Sequence, residues 1–344
     1  MSGDLAIIHG IPLEEEPGLG SLTLPGFLAE VRERYGPREA LVMFEGHEAT
    51  GRWTYDELWA RSMQVARALV ACGVGKGEYV GILMTNRLEW VSAMFGIAMA
   101  GGVGVGLSTF STPEELEKLL QMSAVSTVLF ERHVAAKDFA AIIAGFDLMQ
   151  FPYLRRIVML GDAAGSPLPL AGGVGGGPVG RDESATRQVT RPPLTPPASG
   201  RGTGASRLVA LETWEQFLAH GAQTDEALVE SRARSVHPSD PALLFFSSGS
   251  TGKPKGILNA HRGVNIQSWR WARIYCITPE DHLRTWGPNG LFWSGNFSLS
   301  LGTTLAVGGA LILQRTFDPA EAVRLLEAER VSLPYCWPHQ WAQL

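Results

Sequence analysis

Short apolar runs alternate with helices that carry their own start signals, and this pattern leaves the chain few architectures. In Trp53-Thr54-Tyr55-Asp56-Glu57-Leu58, Thr54 and Glu57 form a reciprocal capping box, with Trp53 and Leu58 placed as its apolar staple. Leu58, Val65 and Leu69 then share one helical face, and Gly73 supplies the stop. Tyr79 to Met84 suits a buried strand. Asn86 and Glu89 read as the cap of the next helix, which ends at Gly101-Gly102 and leads to a strand over 103–105. Thr112-Pro113-Glu114-Glu115 opens another helix, with proline where a missing N–H costs nothing. Strands follow at 125–130 and 156–160. Thr213 and Gln216 make a second capping box; 242–246 and 256–258 read as strands and a helix starts near His261. A last strand over 311–314 precedes a helix capped by Asp318 and running to about Arg330. This alternation argues for α/β layers around a mainly parallel sheet.

One stretch breaks the pattern. Residues 161–207 are rich in Gly, Pro, Ala, Ser and Thr, as in GGVGGGPVG and RPPLTPPASGRG. Such a composition buries too little apolar surface to offset its ordering entropy, so a disordered insertion is expected. Over the whole chain 45% of the residues are hydrophobic and 18% charged, enough for a large core. A formal net charge of −5 gives no basic face for nucleic acid. Cys72, Cys276 and Cys336 are far apart, odd in number and without CxxC spacing, which argues against a disulfide framework or a structural zinc site and for a reducing cytoplasm. The eight histidines show neither HExxH nor i,i+4 pairing, so no protein-built metal site is expected. The N-terminal residues lack a basic opening and are broken by Gly10 and Pro12, unlike a signal peptide. Two uncharged stretches, 90–113 and 285–314, are long enough to span a bilayer. Their Gly, Ser, Thr, Asn and Pro content reads better as pairs of buried elements joined by turns.

The chemistry concentrates in one segment, Phe245-Phe246-Ser247-Ser248-Gly249-Ser250-Thr251-Gly252-Lys253-Pro254-Lys255-Gly256. Its glycines allow backbone N–H groups to approach an anion, its four hydroxyls donate to phosphate oxygens, and Lys253 and Lys255 add positive charge. It is not a Walker A loop: Ser247 stands where that motif needs glycine, and Pro254 where it needs a hydroxyl. No Gly-x-Ser-x-Gly elbow is present.

SSGSTGKPKG resembles the signature loop of the adenylate-forming superfamily, which includes acyl–CoA synthetases, luciferases and peptide-synthetase adenylation domains. WTYDELWARSMQVARALVACGVGKGEYVGILMTNRLEWVSAMFGIAMAGGV is similar to that family's N-terminal region. GVGLSTFSTPEELEKLLQMS and GGALILQRTFDPAEAVRLLEAERVSLPYCWP resemble later segments in order. The resemblance covers about 25–160 and 208–344. It implies an N-terminal extension over 1–24, an AMP-binding domain in two parts, 25–160 and 208–344, and an insertion over 161–207. It also implies that Ser247, Ser248, Gly249, Ser250, Thr251, Gly252, Lys253 and Lys255 close over the ATP phosphates. Gly290-Leu291-Phe292-Trp293-Ser294-Gly295 matches the family's aromatic pocket segment, which implies an acyl site at Phe292, Trp293 and Gly295. Trp293 equally suits a packed core position. His261 matches a histidine common after the loop and equally suits a plain helix start.

The implied reaction has two steps. A carboxylate, expected to be a fatty acid, attacks the ATP α-phosphorus and forms an acyl-adenylate; the thiol of CoA then displaces AMP, with Mg2+ accompanying the ATP. Stabilising phosphate charge is the protein's main task in the first step. The family's aromatic-Gly-x-Thr-Glu and Thr-Gly-Asp motifs do not occur, nor does its C-terminal lid with the adenylation lysine. The expectation is therefore the front part of such an enzyme, impaired by itself, with Tyr335, Trp337 and Trp341 left exposed. A carrier protein as acyl acceptor and a non-catalytic nucleotide-binding module are the rival readings.

Overall fold

The computed structural model describes residues 12–161, 209–247 and 254–344. In chain order the first stretch forms α1 (Leu24–Tyr35), β1 (Glu39–Glu45), β2 (Glu48–Thr54), α2 (Tyr55–Ala71), β3 (Tyr79–Leu83), α3 (Leu88–Met99) and β4 (Val103–Gly106). It continues with α4 (Pro113–Ser123), β5 (Thr127–Glu131), β6 (His133–Val134), β7 (Lys137–Asp138), α5 (Phe139–Ala144) and β8 (Arg156–Leu160). After residue 208 come β9 (Ala210–Thr213), α6 (Trp214–His220), α7 (Glu226–Arg234), β10 (Pro241–Ser247), β11 (Lys255–Ala260), α8 (His261–Ile274) and β12 (Arg284–Trp286). A π-helix over Asn296–Gly302, α9 (Thr303–Ala306), β13 (Ala310–Gln314), α10 (Pro319–Ala328), β14 (Leu333–Pro334) and α11 (Pro338–Trp341) complete it. The expected disorder of 161–207 falls, from residue 162 on, outside the described residues, as does the start of the N-terminal extension.

Two mainly parallel sheets result. One has seven strands in the order β11-β10-β4-β3-β5-β8-β9, with only the β10/β11 pair antiparallel. The other has five, β14-β12-β13-β1-β2, with only β1/β2 antiparallel. Strand periodicity sorts their side chains between layers. Leu41 and Met43 of β1 join one core with Val80 and Ile82 of β3 and the buried faces of α1, α2 and α3. Val42 and Phe44 point the other way, towards α10. Val128 and Phe130 of β5 face α4 and α5 on the far side of the larger sheet. The helices α1 to α3 are thus sandwiched between the sheets, and each sheet carries further helices outside.

The capping boxes at Thr54/Glu57, Thr112/Glu115 and Thr213/Gln216 all form. The reading of Asn86 and Glu89 as a cap is corrected: Arg87 occupies the N-cap of α3 without a capping side chain, and Glu89 pairs with Arg87. Asn86 is engaged elsewhere, as shown below. Among the described residues no helix is long and apolar enough to cross a membrane. The stretch 90–113 resolves into α3, β4 and a loop, and 285–314 into β12, the π-helix, α9 and β13.

Candidate active site

Parallel strands present their carboxyl ends along one edge, where backbone groups and loops are free to meet a ligand. Here both sheets turn that edge towards a single cavity of about 1180 Å3. Thr85 follows β3, Thr109 and Phe110 follow β4, Val134 lies beyond β5, Pro288 follows β12 and Arg315 follows β13; all of them line it.

Glu131, the last residue of β5 and only 2% exposed, joins the two edges. It accepts from Thr85 N–H at 3.0 Å and from the Thr85 hydroxyl at 2.6 Å. Arg87 donates to it at 2.9 Å, and Arg315, from the other sheet's edge, pairs with it as well. Burial pulls this carboxyl upward, but Arg87, the two Thr85 hydrogen bonds and Arg315 outweigh it and hold it below its ordinary value.

The wall opposite is the segment Gly290–Gly295. Asn86 Nδ2 donates to the Asn289 carbonyl at 2.8 Å, and its Oδ1 accepts from Leu291 N–H at 2.8 Å. That two-sided grip explains why Asn86 does not cap α3. Phe292 is tucked in at 5% exposure. Two glycines make room for it: a Cβ on Gly290 would fall 2.1 Å from its ring, and one on Gly106 3.1 Å from its Cα. Trp293 is 47% exposed and lines the cavity, so the core position is not the one it takes. Gly295 lines it too, with open space where a side chain would start. Phe110, 73% exposed, meets Phe292 edge-on at 5.9 Å, and Phe292 meets Trp293 at 5.8 Å. Lys137 fixes the loop under Phe110 by donating to the carbonyls of Thr109 and Ser111, each at 2.9 Å.

Ser247 and Lys255 close the β10/β11 hairpin as its last register pair. Neither lines the cavity. The hairpin nevertheless opens at the same edge. Leu243 pairs with Gly104 and Leu244 with Val105, so the carboxyl end of β10 at Ser247 runs alongside the end of β4, the strand that leads to Thr109 and Phe110. Ser248, Gly249, Ser250, Thr251, Gly252 and Lys253 lie outside the described residues. His261 begins α8 and is 1% exposed; its Nδ1 accepts from Leu24 N–H at 3.1 Å. Burial pushes it down to about 4, against the pull of Asp240. The ring therefore stands neutral as a structural acceptor. Trp337 and Trp341 are exposed as expected, whereas Tyr335 is half-buried. Sequence reasoning missed Glu131, Phe110, Lys137 and the true task of Asn86. Their partners lie 26 to 205 positions away, beyond any local pattern.

A family model described as AMP-binding enzyme matches residues 28–344. The chain belongs to this family. A relative in Mycobacterium tuberculosis, 3-[(3aS,4S,7aS)-7a-methyl-1,5-dioxo-octahydro-1H-inden-4-yl]propanoyl:CoA ligase, is 29% identical over 82% of this chain and 46% of its own length. Acyl-CoA ligase sidI of Beauveria bassiana is 28% identical over 99% of this chain and 50% of its own. This AMP-binding chain thus spans about half the length of those curated relatives. The crystal structure of the anthranilate CoA ligase AuaEII with anthranoyl-AMP matches with a TM-score of 0.67 at 19% identity. That match covers 97% of this chain and 52% of the other, and it shows the shared fold.

Proposed function

We propose that this chain supplies the phosphate grip and acyl site of an AMP-forming acid–CoA ligase. The observation that carries the reading is positional. The aromatic segment follows β12 and packs Phe292 against Gly106 at the carboxyl end of β4, the strand beside β10, whose hairpin with β11 opens at that same end of the larger sheet. Ser247 to Lys253 and Lys255 would hold the ATP phosphates through backbone N–H groups, hydroxyls and ammonium charge. Phe292 and Trp293 would flank the acid, with Gly295 leaving space for its tail. The acid is a carboxylic acid with an apolar body, a fatty acid in the first instance; the relatives' names extend the class to ring-bearing acids.

In the reaction proposed, the carboxylate displaces pyrophosphate at the α-phosphorus, and the CoA thiol then displaces AMP. Magnesium enters bound to ATP, because the described cavity lining offers no carboxylate to hold it. Residues 161–207 are an insertion into one AMP-binding domain, and the cytoplasm is the proposed location. Orientation of carboxylate and α-phosphate carries much of such a barrier, and the ribose-binding and Thr-Glu motifs are absent from these residues. The 344-residue polypeptide tested alone should therefore bind ATP yet make no acyl–CoA.

ATP binding by calorimetry and ATP–pyrophosphate exchange over short, medium, long and aryl acids test both points. The Lys253→Ala/Lys255→Ala double variant should lose about tenfold or more in ATP affinity, since two charge-assisted contacts go. Equal affinity in parent and variant would remove the phosphate assignment. Robust exchange abolished by Lys253→Ala would keep the assignment and overturn the expected inactivity.

A further inference from the structure

Away from the cavity, three side chains of metal-binding type converge from three different elements. Cys72 follows the last residue of α2, Glu212 lies on β9, and His220 ends α6. A thiol sulfur, a carboxylate oxygen and an imidazole nitrogen from these residues all lie within 4.8 Å of one another. We propose that Cys72, Glu212 and His220 form a zinc site that clamps the end of α2 to the β9–α6 unit.

The donor set is the argument. Zn2+ favours sulfur, nitrogen and carboxylate oxygen together, in tetrahedral geometry at about 2.0–2.3 Å. A thiolate and a carboxylate balance the dication, and the neutral imidazole adds no charge. The Glu212 carboxylate is already divided between two tasks. Oε1 accepts from Arg156, while Oε2 faces His220 Nε2 at 2.6 Å. With the ion in place, Oε2 and Nε2 would separate by a few tenths of an ångström or more to coordinate it. Arg156 would keep Oε1, the kind of outer hydrogen bond that orients a ligating carboxylate. Glu212 is largely buried, Cys72 half-buried and His220 more open, so a water would complete the fourth position from the His220 side. The 8-residue spacing of Glu212 and His220 and the distance to Cys72 fit no metal motif, so sequence spacing alone leads to the expectation of no metal site from which this proposal departs.

The test loads the full chain with Zn2+, removes free metal by dialysis and measures bound metal, then repeats the loading with Co2+ to read thiolate-to-metal charge transfer. Stoichiometric zinc is expected, together with a cobalt–thiolate band that disappears in Cys72→Ser and persists in Cys276→Ser and Cys336→Ser. His220→Gln changes an exposed side chain and should fold normally; it should weaken zinc by about tenfold or more, at least the loss seen for outer-shell changes. Substoichiometric zinc, a band that survives Cys72→Ser, or unchanged zinc affinity in His220→Gln would each overturn the site. Should Cys72→Ser fail to fold, His220→Gln decides alone.

Discussion

Phe292 and Trp293 are neighbours in sequence with opposite fates. Phe292 fills a slot that Gly106 and Gly290 leave open, whereas Trp293 stands half out into the cavity. Phe292→Ala should therefore cost about 3–5 kcal/mol, the usual range for emptying a buried aromatic site. Trp293→Ala should cost less, about 1–2 kcal/mol, because about half of its surface stays in water. Urea unfolding of both variants checks the pair; equal losses would return Trp293 to the core. The resemblance of this segment to a known one marked both rings as candidates, but it left open whether Trp293 belongs to the site or to the core. Burial follows from what lies opposite, and Gly106 is 186 residues from Phe292 along the chain. Asn86 makes the same point in reverse. Its position before a helix suggests a cap, yet two backbone groups of a distant segment outcompete that local use.

Among elements, the pairing of α2 with α3 depends on one small residue. A Cβ on Gly96 would lie 2.7 Å from Val65 Cβ and 2.8 Å from the Ser62 carbonyl oxygen, closer than atoms pack. Alanine gains up to about 1 kcal/mol of helix propensity over glycine. Forcing two backbones apart in a full core costs about 1–3 kcal/mol or more, so the clash wins. Gly96→Ala should lower the urea midpoint, and a rise would show that the helices can separate freely. Helix starts were legible because a capping box is complete within four residues. The hairpin strands β1 and β2 were not read, because β1 is apolar on both faces and β2, mostly polar, buries no residue fully. The π-helix at Asn296–Gly302 was also invisible. Its small and hydroxylated residues fit beside α8, where Gly302 faces Ser268, and that fit is tertiary.

For the whole molecule, His261 ties the start of α1 to the start of α8, so its protonation state is felt globally. Its ordinary value is 6.5 and its folded value about 4, so the unfolded chain binds the proton more readily. The stability from the neutral ring is complete above pH 6.5 and is lost as pH falls towards 4. The span corresponds to about 3 kcal/mol. Asn at this position keeps an acceptor for Leu24 N–H but does not titrate, so His261→Asn should flatten urea-derived stability across that window. An unchanged slope would assign the acid sensitivity elsewhere. Glu131 acts in the same direction at lower pH: its lowered value gives stability above its unfolded range that disappears as pH falls through the folded one.

The layered fold was legible from alternation alone, whereas the docking of the two sheets was not. The shared apolar core docks the sheets, and at the cavity Glu131 ties them by bonding Thr85 and Arg87 on one side and Arg315 on the other. The cavity is therefore a seam, and whatever fills it touches both sides. Occupancy and sheet docking become one thermodynamic cycle. A ligand at a hundred times its Kd would add about 2.7 kcal/mol to stability. By reciprocity, loosening the seam far from any ligand must weaken binding by the same coupling energy.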